Sequence, residues 1–292
     1  MKKRTKTKIK KAISKTVKSF GKGIWRAITW LARGFWSIIV WCAGKIYHFG
    51  KKGAESTHNK IKETHERKKI EKEQPKTEAQ VQDFEEVESL KGSAKKFEEW
   101  LYSKSSLIGI ILGARGTGKS AIGMFLLENF KARSQKKIYA LGFKQSAVPK
   151  WIRVIKSIEQ IENNAVLLID EGGIEFSSRS SMSDANKLLS EILLIARHKD
   201  LSVIFISQNS ANLEVNAIRQ TDFLLLKPSS LLQKDFERKK IKTIYEDVHE
   251  EYENLKHIVG ITYIYSDKFR GFATNTLPSF WSDKVSKGYA QK

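Results

Sequence analysis

Cysteine is nearly absent from this sequence, since Cys42 is the only one among 292 residues. One thiol excludes an intrachain disulfide framework and a zinc site built from several cysteines. We expect Cys42 to be a buried thiol, with acylation as the alternative. Long apolar runs are missing too, because no uncharged stretch approaches the ~18 residues that mark a clear membrane span. The chain is nevertheless 40% hydrophobic and 10% aromatic, which is enough to fill a core and excludes global disorder.

Acidic residues are missing from the start of the chain, where the first one is Glu55. Residues 1–60 contain sixteen Lys or Arg and this one Glu, so they carry +15 of the total formal charge of +21. Charge is therefore distributed very unevenly along the molecule. A polyanionic partner is expected, either nucleic acid or an anionic membrane surface.

The same basic segment has the periodicity of an amphipathic helix. Apolar side chains recur at steps of three or four and form one stripe, which consists of Ile9, Ile13, Val17, Phe20, Ile24, Ile28, Leu31, Phe35, Ile38, Cys42, Ile46 and Phe49. Lysines and arginines lie on the other side, and Trp36 and Trp41 widen the apolar face. We predict that residues 1–52 form a basic helix that associates with an anionic membrane through residues 8–49. The alternatives are an arm on nucleic acid and a helix that packs against protein.

The uncharged part of this helix is short. The stretch from Gly34 to Gly44 is eleven residues long and lies between Arg33 and Lys45. A helix that crossed the bilayer here would have to bury a charge or let it snorkel to the surface. Whether the helix spans the membrane or lies on it is left open by the sequence.

A charged segment follows the arm. Residues 56–90 contain few large apolar side chains, mix both signs of charge and include Pro75, a composition typical of a solvated helix or a flexible tether. His58 and His65 lie here without the spacing of metal ligands, so we predict that they are solvated. Three parts are therefore predicted: the arm in residues 1–52, a linker in residues 53–100, and a nucleotide-binding domain in residues 101–292, with its core in residues 104–230.

The most specific motif begins after a short apolar run. Residues 107–112 have the composition of a buried strand and lead into Gly113-Ala114-Arg115-Gly116-Thr117-Gly118-Lys119-Ser120. This is a complete G-x-x-x-x-G-K-S phosphate-binding loop, and the stretch AIGMFLLENF supplies the helix that follows such a loop. Its glycines allow backbone N–H groups to approach phosphate oxygens. ATP is therefore the predicted ligand, with Lys119 on the β- and γ-phosphates and Ser120 on Mg²⁺.

A second, acidic motif follows another buried-strand pattern. Residues 165–169, AVLLI, lead into Asp170-Glu171-Gly172-Gly173. We expect this strand to lie parallel to and beside the strand of the phosphate loop, so that its carboxyl end faces the ligand crevice. Asp170 is then placed to hold Mg²⁺ through water, and Glu171 is placed to polarise the attacking water. The alternative is an Asp that caps a helix beside an exposed Glu.

Two further strand patterns have polar residues near their ends. Residues 201–206 precede Gln208, which either senses the γ-phosphate or orients water, or else forms a turn. A helix predicted over residues 184–195 ends near Arg197, which either belongs to a helix cap or reaches a neighbouring subunit's nucleotide as an arginine finger. Arg219 precedes a fourth strand and is a second candidate for that finger.

The end of the chain predicts a helix and a β-hairpin. Residues 231–255 alternate charges at helical spacing, so we expect an exposed helix, and two strands around Ser266-Asp267 predict the hairpin. Tyr263 and Tyr265 share a face of the hairpin, where they either pack on the sheet or stack on bases. Residues 277–281 are expected to hold the end of the chain on the core.

Together, the phosphate loop, Asp170-Glu171, the stretch ARHKDLSVIFISQ and the stretch IRQTDFLLLK resemble the FtsK–HerA superfamily of DNA-pumping ATPases, over about residues 104–230. The small members look most similar, namely viral genome-packaging ATPases and Zot-like filamentous-phage assembly ATPases. The resemblance implies a RecA-like α/β fold with a mainly parallel sheet, and a ring, usually a hexamer, with nucleotide at subunit interfaces. It also implies a sensor role for Gln208 and a trans-acting arginine, for which we prefer Arg197 to Arg219.

The sequence and this resemblance therefore predict an ATP-hydrolysing motor that translocates or packages viral or mobile-element DNA, on a membrane-associated arm and with its ATPase domain in the cytoplasm. Its expected partners are double-stranded DNA and virion or assembly proteins. Phage assembly, conjugative coupling and protein secretion are alternatives, as is a membrane-bound nucleotide switch that binds ATP and ignores DNA. The loop at residues 176–181 either faces a central pore, where it would contact the phosphate backbone, or is a plain surface loop.

Overall fold

A computed structural model describes residues 64–170, 190–196, 198–213, 215–230 and 235–286, together with a few earlier positions. The chain divides into two compact units, residues 1–68 and residues 69–292. In the first unit, Trp30, Trp36 and Trp41 are helical and 60% to 74% exposed. Most of the predicted arm lies outside the described residues. None of the described helices is long and apolar enough to cross a membrane.

The described part of the second unit is built on a nine-stranded sheet. Its strands are β1 (Glu85–Gly92), β2 (Ile108–Leu112), β3 (Lys137–Leu141), β4 (Ile152–Ile155), β5 (Ala165–Asp170), β6 (Leu201–Ser207), β7 (Phe223–Leu226), β8 (Thr262–Ser266) and β9 (Phe269–Thr274). Their order across the sheet is β1-β9-β8-β7-β2-β6-β5-β3-β4. The strands from β7 to β4 in this order pair in parallel, and the other pairs are antiparallel. The predicted α/β fold with a mainly parallel sheet is confirmed.

Helices cover both faces of this sheet. They include α1 (Ala94–Ser103), α2 (Lys119–Arg133), α3 (Val215–Arg219), α4 (Lys239–Asp247), α5 (His249–Leu255) and α6 (Asp283–Ser286). One core lies under α1 and α2, and the other lies under residues 190–196, α3, α4 and α5. Every residue of β5 is buried, with Val166 and Leu168 in the first core and Leu167 and Ile169 in the second. A parallel strand that is covered on both faces has this continuous apolar sequence.

β6 lies between the strand of the phosphate loop and the strand of the acidic motif. Leu112 of β2 is opposite Ser207 of β6, and Ile206 of β6 is opposite Asp170 of β5. The expectation that β5 lies directly beside β2 is therefore wrong. All seven residues of β6 are buried, as is typical of a central parallel strand that is covered on both faces. The carboxyl ends of all three strands still meet at one edge.

The ordered domain begins before residue 101. β1 pairs with β9, and α1 buries Phe97 and Leu101, although most of both elements lies inside the predicted linker of residues 53–100. The sequence of β1, EEVESLKG, is almost entirely exposed. Charged side chains are common on edge strands, so its composition resembled that of a solvated segment.

An extended strap, residues 74–84, leads to β1 and contacts α2 on the way. The Gln80 N–H donates a hydrogen bond to Oε1 of Glu128 at 3.3 Å, and the Gln82 N–H donates to Oδ1 of Asn129 at 3.0 Å. Glu128 and Asn129 are fully buried. These two polar side chains of α2 therefore supply acceptors for a backbone segment that has no partner strand.

The predicted exposed helix over residues 231–255 is two helices with a buried face. α4 buries Ile241, Ile244 and Tyr245, and α5 buries Tyr252. The expectation of full exposure is therefore wrong. In α4, Ile244 and Tyr245 follow Ile241 by three and four residues, so the three side chains lie on one face. This spacing is sufficient to bury one side of a highly charged helix.

The hairpin and the end of the chain agree with expectation. Tyr263 of β8 is only 3% exposed, and its ring centroid lies 5.0 Å from that of Phe272, so it belongs to the core. Phe280 is also buried and meets Trp151 edge-on. The Ser279 N–H donates to Oε2 of Glu128 at 2.9 Å, which fixes this end segment to α2.

Candidate nucleotide-binding site

The phosphate loop joins β2 to α2 at the carboxyl edge of the parallel strands. Gly116 and Gly118 have φ angles of 81° and 89°, in the left-handed region that favours glycine. Within the loop, Oγ1 of Thr117 donates to the carbonyl oxygen of Ala114 at 2.8 Å. This closed loop ends at the N-terminus of α2, where a helix dipole favours an anion.

The base of the loop is anchored to the residues that follow β7. The Lys227 N–H donates to the Leu112 carbonyl at 2.7 Å, and the Ala114 N–H donates to the Pro228 carbonyl at 3.0 Å. A Cβ atom on Gly113 would lie 2.5 Å from Cβ of Lys227, which is too close for any side chain. The first glycine of the motif is therefore required by this close approach of two backbones.

Lys119 is the first residue of α2, and only 8% of its surface is exposed. Its Nζ donates to the carbonyl oxygens of Gly113 and Ala114, both at 2.8 Å. These bonds hold the ammonium against the loop, where the β- and γ-phosphates of a nucleotide are expected.

Ser120 and Asp170 meet next to this lysine. Oγ of Ser120 donates to Oδ2 of Asp170 at 3.2 Å, and Asp170 is almost completely buried at the end of β5. α2 can lie this close to the sheet because Gly123 has no side chain: a Cβ there would lie 2.9 Å from carbons of Leu168 and Ile206. A hydroxyl and a carboxylate are oxygen ligands of the kind that Mg²⁺ prefers. The pair therefore fits the predicted metal site.

Gln208 lies at the same edge of the sheet. It follows β6 directly and is exposed, and β6 lies between β2 and β5. The structure therefore brings Gln208 to the part of the site between the phosphate loop and Asp170. Its role as a sensor stays a prediction.

Arg219, one of the two arginine finger candidates, does not lie at this edge. Arg219 is exposed at the end of α3, just before β7 begins, so it lies at the opposite edge of the parallel strands from the phosphate loop. Arg197, Glu171 and the loop at residues 176–181 lie outside the described residues. Their predicted roles stay predictions.

Lys227 is a residue of this region that the sequence analysis did not single out. It is 2% exposed, and burial lowers its pKa to about 7. Its Nζ donates to the Gly260 carbonyl at 2.6 Å, and its own carbonyl accepts from the Tyr245 hydroxyl at 3.0 Å. The sequence does place Lys227 directly after four apolar strand residues, which is the signal that could have singled it out. The sequence does not show which groups this lysine contacts.

The sheet order, the phosphate loop and the Ser120–Asp170 pair define a P-loop NTPase fold. No family model and no curated protein matches the chain. Among solved structures, it is similar to the genome-packaging NTPase B204 from Sulfolobus turreted icosahedral virus 2 in complex with ATP-γS. The two are 17% identical with a TM-score of 0.41, and the match covers 59% of this chain and 99% of that one.

Two solved structures with several ATPase domains are also similar. EssC (ATPases 2 and 3) from Geobacillus thermodenitrificans is 12% identical with a TM-score of 0.41, over 73% of this chain and 48% of that one. EccC (ATPases 2 and 3) from Thermomonospora curvata, in complex with a signal sequence peptide, is 14% identical with a TM-score of 0.42, over 68% and 41%. Because the sequence identities and TM-scores are this low, the function of this chain is inferred from its own residues.

Proposed function

We propose that this chain is an ATP-hydrolysing motor that moves double-stranded DNA, works as a ring and is attached to a membrane by its basic arm. The observation that carries the enzymatic part is the meeting of Lys119, Ser120 and Asp170 at one edge of the sheet. Each element of a phosphoryl-transfer site has a candidate residue there or next to it in sequence.

Hydrolysis of ATP requires mainly positioning and charge stabilisation from the protein. Lys119 binds and orients the β- and γ-phosphates, while Ser120 and Asp170 hold Mg²⁺. The bound metal supplies positive charge that offsets the charge of the phosphates. Glu171 accepts a proton from water as the water oxygen bonds to the γ-phosphorus. The bond from that phosphorus to the β–γ bridging oxygen then breaks, which releases ADP and phosphate.

The ring is inferred from the motif resemblance, and the position of Arg219 limits how that arginine could act. Because Arg219 lies at the sheet edge opposite the phosphate loop, it cannot serve the site of its own chain. An arginine from a neighbouring subunit, Arg197 or Arg219, would complete the site. The choice of DNA as cargo rests on the motif resemblance and on the strong positive charge of the chain.

If the full chain translocates along DNA, it should displace the third strand of a DNA triplex. A labelled triplex-forming oligonucleotide on a linear duplex should be released by the wild-type chain with ATP, because a motor moving along the duplex displaces it. Release should disappear with Glu171→Gln or with a non-hydrolysable ATP analogue. ATP hydrolysis that is stimulated by DNA without release of the third strand would contradict translocation. Hydrolysis that ignores DNA would favour protein cargo, and tight ATP binding without hydrolysis would favour a switch.

Membrane attachment is supported by the tryptophans of the arm. Trp30, Trp36 and Trp41 are helical and largely exposed in a segment that carries many lysines, which is the composition of an interfacial helix. In a flotation assay, the full chain should rise with vesicles that contain anionic phospholipid and much less with purely zwitterionic ones.

The triple variant Trp30→Ser, Trp36→Ser, Trp41→Ser should reduce flotation about tenfold or more, because three interfacial anchors are lost. A matched control is Val259→Ser with Leu277→Ser, which removes exposed apolar side chains from the second unit. Equal flotation of the triple variant and this control would contradict membrane attachment by the arm. No flotation with either vesicle, together with binding of DNA that the triple variant loses, would instead assign the arm to nucleic acid.

A further inference from the structure

The turn that follows Gln208 is held by residues from a distant part of the chain. After β6, Oγ of Ser207 donates to the Asn209 carbonyl at 2.9 Å, and Oδ1 of Asn209 accepts from the Ala211 N–H at 2.7 Å. Ser210–Asn212 then forms a turn of 3₁₀-helix, and Ser210 is fully buried. Gln208 is therefore followed by a compact, ordered turn.

Arg238 makes several hydrogen bonds to this turn. Its backbone N–H donates to Oγ of Ser210 at 2.9 Å, and its Nε donates to the Ser210 carbonyl at 3.0 Å. Its Nη2 donates to the Leu213 carbonyl at 2.6 Å and to the Ala211 carbonyl at 3.4 Å. The planar guanidinium thus binds three carbonyl groups of one turn, a geometry that lysine cannot reproduce.

Glu237 holds the same turn from within the protein. Its Oε2 accepts from the Ser210 N–H at 2.8 Å, and the residue is only 7% exposed. Burial raises the pKa of this carboxyl group, against the opposing effect of its hydrogen bonds with Ser210. Within the described residues, its Oε1 has no hydrogen-bond partner. A neutral side chain of the same shape should therefore serve equally well here.

The helix that follows reaches the phosphate loop. Arg238 is the residue before α4, and Tyr245 of α4 donates its hydroxyl hydrogen to the Lys227 carbonyl at 3.0 Å. Lys227 in turn bonds to Leu112, the last residue before the loop. α4 thus contacts the Gln208 turn at its N-terminal end and the base of the phosphate loop through Tyr245.

We propose that Glu237 and Arg238 are positioning residues for Gln208, and that α4 fixes the turn after Gln208 relative to the phosphate loop. The inference rests on the proposed ATP hydrolysis. A misplacement of the order of 1 Å in a catalytic arrangement can cost ~100-fold in rate. Loss of Arg238 should therefore lower kcat and change the KM for ATP little, because the phosphate loop stays intact.

A double-mutant cycle tests this with the full chain. Arg238→Ala should lower kcat about 10-fold or more in the wild-type background, but less than about twofold in the Gln208→Ala background, since its effect acts through Gln208. Arg238→Lys should resemble Arg238→Ala.

Glu237→Gln, which keeps an oxygen acceptor for Ser210, should retain kcat, and Glu237→Ala should not. Lys239→Ala removes an exposed neighbouring charge as the control.

Each variant is assayed well below its own melting temperature, so that loss of folded protein does not affect kcat. A merely structural role would give equal losses in both backgrounds, and that result would overturn the inference. An unaffected Gln208→Ala variant would overturn it as well. Either result overturns the inference alone if the wild-type chain still hydrolyses ATP, and the proposed function then stands. A wild-type chain that does not hydrolyse ATP would contradict both the inference and the proposed function.

Discussion

Replacing Lys119 by alanine is expected to lower kcat/KM for ATP hydrolysis ~100- to 1,000-fold, the scale for loss of one pre-organised charge-stabilising donor. Lys119 is buried, and its ammonium is held by the carbonyls of Gly113 and Ala114. The variant removes the cation that should meet the phosphates and leaves those carbonyls without this donor. ATP binding should weaken together with hydrolysis.

The measurement is steady-state phosphate release with ATP titration, beside equilibrium binding of a fluorescent ATP analogue. Lys131→Ala is a matched control, because Lys131 is an exposed lysine in the last turn of the same helix. Circular dichroism should show that both variants are folded. A Lys119→Ala variant that keeps more than half of the wild-type hydrolysis would place the active site elsewhere.

Glu171→Gln is expected to separate binding from hydrolysis. Glutamine keeps the size and the polar oxygen of glutamate but cannot take a proton from water, and general-base catalysis typically contributes ~100- to 10,000-fold. Hydrolysis should fall by that order, whereas the dissociation constant for ATP should change little because Lys119 and Ser120 are untouched. Asp170 forms a hydrogen bond with Ser120 in the structure. Glu171 is the next residue in the sequence, so it directly follows a ligand of the expected metal site.

Rapid-quench measurement of a single turnover, together with ATP binding, checks this expectation. Glu191→Gln is the matched control, since it makes the same chemical change at an exposed position of the helical residues 190–196. If Glu171→Gln loses binding and hydrolysis together, Glu171 acts on structure or on the metal instead of on water. If it keeps both, another residue is the base.

The parts of the site that were predictable from sequence are local. The phosphate loop is eight consecutive residues, and Asp170 comes at the end of one apolar run, so chain neighbours alone define both. The meeting of Ser120 with Asp170 also follows, because parallel strands end at a common edge. The order of the strands does not follow, and β6 took the place that β5 was expected to fill.

Long-range contacts of charged residues were not predictable. The edge strand β1 and the helix pair α4 and α5 are rich in charge, so each resembled a solvated segment, yet β1 pairs with a strand near the other end of the chain. Arg238 lies 28 positions from Ser210, and nothing in a run of charges shows which one will bind a distant turn. Pairing of this kind depends on the tertiary fold and not on local propensity.

Steady-state ATP hydrolysis by the full chain, measured with and without double-stranded DNA and beside Glu171→Gln, is the most direct test of a DNA-driven ATPase. We expect hydrolysis that requires Mg²⁺, rises several-fold with DNA and falls with added salt, because phosphate contacts are screened by salt. Glu171→Gln should bind ATP and show almost no turnover under either condition. Tight ATP binding by the wild-type chain with no turnover, with or without DNA, would contradict a motor function.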